Sequence, residues 1–186
     1  MFNHYFDRRP ADEDAAVRAE AEDIRRLDAL AQDHADFTIA PGQENIVRAL
    51  EAWSWLGLPP ALQPILVNAF GEIFFLQDRA VVMLDTLAGA LQPVAADLAT
   101  FTLMLDAEEG QDDLLVAGLV VRLQEHGELL GADECYDYIL APIEGGGFDL
   151  DNIEVVDFVA KHITAADLHR EIAEAAQAQP PAPPPA

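Results

Sequence analysis

Between Arg79 and Lys161 the chain has a single basic residue, Arg122, among 17 Asp and Glu. That scarcity removes the phosphate contacts on which nucleic-acid binding depends, and it opposes docking on an anionic membrane. Cysteine is almost absent too. Cys135 stands alone, so no internal disulfide can form, in agreement with a reducing compartment. Its neighbours Asp133, Glu134 and Asp137 raise a thiol pKa and argue against a nucleophile. Ser54 is the only serine, and beside Trp53 and Trp55 on an apolar stretch it offers no serine-based triad. No apolar run approaches the roughly 20 residues of a membrane span. Met1 to Arg9 lack the apolar core of a secretory signal. These absences describe a soluble, cytoplasmic protein.

Nucleotide and metal signatures are missing as well. Gly145-Gly146-Gly147 is followed by no Gly-Lys-Ser/Thr, and Glu144, Asp149 and Asp151 would repel a phosphate. His162 and His169 are seven apart rather than four, and no Glu lies between them in the zincin arrangement. Asp149-Leu150-Asp151-Asn152 with Glu154 has the carboxylates a hard cation favours. It lacks the order of an EF-hand loop and reads as a turn into a strand at Ile153. Carboxylates are too abundant for any pair to mark glycosidase chemistry, which needs two held roughly 5–10 Å apart. No cofactor is expected.

What is present suffices for a core. The chain has 186 residues, 51% of them hydrophobic, with a mean hydropathy of +0.08, the size of one domain with short flanks. Its 34 acids and 10 bases give a net charge of −24. Because apolar residues accompany the acids, the acids decorate a folded surface and create a negative field. A basic protein is the partner such a field favours, beside the plainer reading that acidity maintains solubility.

Residues 1–37 hold Val17, Ile24, Leu27 and Leu30 at helical spacing from about Asp12 to His34, a helical arm that packs on the main domain or on a second copy. Pro41-Gly42 breaks it from a helix whose face carries Ile46, Leu50, Trp53 and Leu56, stopped at Gly57. Strands are expected at Ile65 to Ala69, Glu72 to Leu76, Ala80 to Asp85 and Leu91 to Val94, as an antiparallel meander bent near Gly71. Asp97 caps a helix through Leu105. A second helix, from Asp112 to about His126, is apolar around most of its circumference and so largely buried. Strands Tyr136 to Leu140 and Ile153 to Val159 follow, then a last helix opened by Thr164 and Asp167. Residues 177–186, with five of the 12 prolines, read as a disordered tail. Trp53, Trp55, Phe70, Phe74, Phe75 and Phe101 are assigned to the core. The fold expected for residues 38–176 is α+β, a meander sheet packed against several helices.

Several motifs in order resemble a bacterial family. They are Trp55-Leu56-Gly57-Leu58-Pro59-Pro60, Val67 to Phe75, Leu84-Asp85-Thr86-Leu87-Ala88-Gly89, Cys135-Tyr136, Gly146-Gly147-Phe148-Asp149, Asn152 to Asp157, and Leu168-His169-Arg170-Glu171-Ile172. Together they are similar to the C-terminal domain of type VI secretion immunity proteins, a family that includes immunity to a DNase effector. The likeness spans about residues 50–175. It implies an α+β fold, no catalysis, and binding to a cognate toxin in the cytoplasm of the producing cell. Relatives often carry a GAD-like domain ahead of this one, whereas about 50 residues precede the match here.

Charge and resemblance lead to one mechanism. A DNase presents a positive cleft to phosphates, and an acidic inhibitor is steered into such a cleft. Acids on helix ends and loops are the candidates for toxin contact: Asp106, Glu108, Glu109, Asp112, Asp113, Asp149 and Asp151. Each also reads as a solvated cap or turn residue, and an apolar anchor is still required. The alternatives are a regulatory or scaffold module unrelated to toxins and an enzyme, which a cleft carboxylate of strongly raised pKa would signal. The oligomeric state is open.

Overall fold

Three consecutive runs rich in Val, Ile, Leu and Phe, and a fourth with only Leu91 and Val94, pair in sequence order. In the computed structural model, which describes Leu27, Ala29, Leu30 and residues 32–178, these are β2 (Gln63–Asn68), β3 (Ile73–Gln77), β4 (Ala80–Asp85) and β5 (Ala90–Ala95). A short β1 (Thr38–Ile39) adds to the β2 edge, so the antiparallel order is β1-β2-β3-β4-β5. Gly71 at φ +83° makes the bend expected there. The Asn68 side chain locks that bend by accepting from the N–H groups of Phe70 and Glu72 at 3.1 and 3.0 Å.

Successive strand residues face opposite sides, and Ile73, Phe74 and Phe75 are all fully buried, so both faces of the sheet must be covered. On one face Ile73, Phe75 and Leu84 pack against Ala49 and Trp53 of α1 (Gln43–Ala52) and its C-cap, and against Phe158, Val159 and Ala166 of α5 (Phe158–Ala178). On the other, Leu66, Phe74 and Val81 meet Leu98, Phe101 and Leu105 of α2 (Leu98–Leu105), Leu115 of α3 (Glu108–Leu115), and Leu30. Each Val, Leu, Ile or Phe among them contributes roughly 1.5–3 kcal/mol on full burial. Asp97 caps α2 by accepting from the Thr100 N–H at 2.8 Å.

A second layer closes the end of the sheet. The hairpin of β6 (Glu134–Tyr138) and β7 (Ile153–Asp157) packs Tyr136, Tyr138 and Ile153 against Val120 and Leu123 of α4 (Ala117–Glu125), with Phe70 between them. The Tyr136 N–H reaches back to the Ala69 carbonyl at 2.9 Å.

Three expectations are corrected. The helix read from Asp112 to His126 is two helices, divided at Val116 in the left-handed region (φ 55°). It is not buried all round, since Val121 is exposed. The last helix opens at Phe158 rather than at Thr164, because Asp157 caps it by accepting from the Ala160 N–H at 2.8 Å. Asp167 pairs instead with Arg170, at 2.7 Å. Trp55 is only partly buried. Most of the N-terminal arm, with Val17 and Ile24, and residues 179–186 of the tail lie outside the described residues. Among the described residues no helix is long and apolar enough to cross a membrane.

Candidate functional site

The acids expected to touch a partner are all exposed, and Asp112, Asp149 and Asp151 lie beside α4. Asp106 ends α2, and Glu108 and Glu109 occupy the first turn of α3, where the helix dipole favours negative charge. The Asp112 carboxylate accepts from the Gly118 N–H at 2.7 Å, bridging the break at Val116. Asp113 borders a cavity of about 130 Å³ shared with Glu72 and Asp85. Asp149 and Asp151 flank the turn before β7 and share a shallow depression with Arg122, four residues beyond Gly118 on α4.

Beneath this surface lies a buried polar seam that the charge pattern does not reveal. Lys161, on the first turn of α5, is buried. Its Nζ donates to the Tyr136 carbonyl at 3.0 Å, meets the Asp137 carboxylate at 3.2 Å and lies 5.7 Å from the Phe70 ring centre. His162 accepts from Trp53 Nε1–H at 2.9 Å through Nδ1 and donates to the Gly71 carbonyl at 3.0 Å through Nε2. His169 donates to the Thr86 carbonyl at 3.0 Å. Gly89 fits against the His169 ring so closely that a Cβ there would stand 2.2 Å from Cγ. Glu72 accepts from the Thr86 hydroxyl at 3.1 Å. Gly71, Thr86 and Gly89 thus meet His162 and His169 of α5, the Glu72–Thr86 bond ties two turns of the meander together, and Asn68 donates to the Leu114 carbonyl of α3 at 3.0 Å.

Glu72 is the group that would suggest catalysis. Burial pushes its carboxyl above the usual range, against the opposing pull of Lys161. A raised carboxyl is one mark of a general acid, yet its cavity of about 130 Å³ is well below the roughly 300–1,000 Å³ of small-molecule sites. Burial above all, with a smaller contribution from Asp137, Glu72 and Asp157, pushes the Cys135 thiol up to about 12 against Lys161. The hydrogen bond of the Glu72 carboxylate joins it to Thr86 at the next turn of the meander. Among the described residues no group of three or more His, Cys, Asp or Glu is placed to hold a metal ion.

The feature missed from sequence is the loop between β6 and β7. Ile139, Leu140, Ile143 and Phe148 are 60%, 45%, 51% and 62% exposed, although Tyr138-Ile139-Leu140 reads as strand. The loop is nonetheless fixed. The Asn152 side chain accepts from the Leu140 N–H at 3.0 Å and donates to the carbonyls of Leu140 and Gly147 at 2.9 and 2.8 Å. Gly146 lies so near the Leu140 carbonyl that any Cβ would collide with it. The Phe148 ring stands edge-on to Tyr138, centres 5.5 Å apart. Between this loop and α5 opens a cavity of about 120 Å³ bordered by Ile139, Ile143, Thr164 and Leu168. The only signals in the sequence are the glycine triplet and the spacing of Asn152. No family model matches this chain, and no curated protein matches it.

Proposed function

We propose that this chain is a non-catalytic acidic binding protein, an immunity protein that neutralises a cognate type VI secretion toxin, a basic nuclease, by covering its active cleft. One observation carries the reading. The long acidic stretch ends in Lys161, and that lysine is turned inward onto Tyr136 and Asp137. From Ala80 to Lys161 this leaves Arg122 as the one exposed cation among 17 carboxylates. Such a surface steers positively charged proteins toward it, with association slowing as salt rises. The ordered motif resemblance supplies the biological setting, and the small cavity at Glu72 weighs against an enzyme.

Co-expression with a nuclease-toxin domain encoded beside its gene tests this, and a gene with no such neighbour favours the regulatory or scaffold role. Rescue of growth together with a salt-sensitive complex is the expected result. Absence of both would overturn neutralisation and move a regulatory or scaffold role ahead of it.

A further inference from the structure

Charge steers association, but affinity needs a desolvated apolar anchor. Several surface regions offer exposed apolar side chains beside acids, most of them single residues such as Leu129 beside Glu128 and Ile172 beside Glu171. On α2, Leu103 is 70% exposed near Asp106, and a lone exposed leucine is ordinary for any protein surface. The β6–β7 loop instead exposes Ile139, Leu140, Ile143 and Phe148 within ten residues of sequence, and Ile139, Ile143 and the Tyr138 that Phe148 touches border a cavity against α5. Apolar side chains grouped in this way mark interaction sites.

We propose that this loop is the anchor by which the chain grips a positively charged protein partner. Its Ile139, Leu140, Ile143 and Phe148 enter an apolar depression on the partner, while Glu144, Asp149 and Asp151 meet lysines or arginines around the rim. The inference rests on the binding-protein reading above and adds the surface that makes contact.

The occupant follows from charge. The loop and its turn, residues 139–152, carry Glu144, Asp149 and Asp151 and no base. A second copy would bring the same carboxylates onto these and add its own charge of −24, so self-association through this face is opposed. An anionic lipid surface is disfavoured for the same reason. A basic protein satisfies both parts of the patch. The loop is also already ordered, by the three Asn152 bonds and the Tyr138–Phe148 contact, which reduces the entropy lost on binding.

The test uses the full chain and the catalytically inactivated toxin domain encoded beside its gene. Binding is measured for the wild type and for Phe148→Ala, Ile143→Ala and Leu103→Ala. All three side chains are exposed, so thermal melting should stay close to that of the wild type. Phe148→Ala is expected to weaken binding about thirtyfold, as for a central aromatic anchor, with Leu103→Ala unchanged. Asp149→Asn with Asp151→Asn should chiefly slow association and flatten its salt dependence. A wild-type complex indifferent to Phe148 and Ile143, or one lost through Leu103, overturns the anchor and leaves the binding reading standing. No wild-type complex overturns both. Sedimentation of the chain alone adds a last outcome: a dimer broken by Phe148→Ala would assign the patch to self-association and refute the proposal.

Discussion

Between Trp53 and Gly71, His162 accepts one hydrogen bond and donates the other, and that requires a neutral imidazole. Protonating Nδ1 would set an N–H against the Trp53 N–H in a fully buried site. Burial, with help from the nearby Lys161 charge, accordingly drives the His162 pKa down to about 3 from an ordinary 6.5, against the Gly71 bond. In the unfolded chain the same ring takes up a proton below about pH 6.5. Between these two values the unfolded state binds more protons, so stability is complete above the window and falls as pH falls through it. The slope approaches about 1.4 kcal/mol per pH unit for one proton. From pH 7.5 to pH 5 this group therefore removes about 2 kcal/mol. Urea unfolding followed by circular dichroism at both pH values measures it, with wild type compared against His162→Gln. Glutamine does not titrate, and the remaining ionisable groups, Glu72 included, are common to both chains. The variant starts less stable, by roughly 1–3 kcal/mol for its altered buried bonds. It should then lose about 2 kcal/mol less than the wild type on acidification. Equal losses in the two chains would refute the account.

Gly89→Ala would place a methyl group against the His169 ring at a backbone φ of +63°. The expected loss is about 3 kcal/mol, read as a melting point lower by roughly 10 °C; an unchanged melt would mean the ring has room to retreat. Cys135, buried and with its thiol pushed up to about 12, should ignore a disulfide reagent at pH 8 until denaturant is added. Stoichiometric reaction in native buffer would contradict its burial.

The meander was legible because its strands are short runs of Val, Ile, Leu and Phe bounded by turn residues, and Ala80–Asp85 needed no correction. The break at Val116 was not, since a β-branched residue is among the least suited to a left-handed conformation. A local bond from the Gly118 N–H to the Asp112 carboxylate, six residues back, bridges it. Phe158 and Val159 read as strand, but their burial against the sheet and the Asp157 cap place them in a helix. The candidate acids were legible as surface groups because carboxylates not paired with a buried cation stay in water. Lys161 and Glu72 look like any other charges in the sequence. Only contacts with distant residues, such as that between Lys161 and Tyr136, distinguish them. The apolar loop escaped notice because exposure of a hydrophobic side chain depends on what fails to cover it.

The bond from Trp53 to His162 joins residues 109 apart, and the apolar face beside it is shared by α1 and α5. Vectorial synthesis then has a fixed order of events. On the ribosome the meander emerges first, with Trp53 and one face of its central strands bare, and it must wait for nearly the whole remainder of the chain. At roughly 5–20 residues per second, that interval lasts seconds, long enough for a sticky nascent sheet to find other chains. A ribosome stalled before Phe158 would leave that face permanently open, so quality control should clear truncated products far faster than the finished protein.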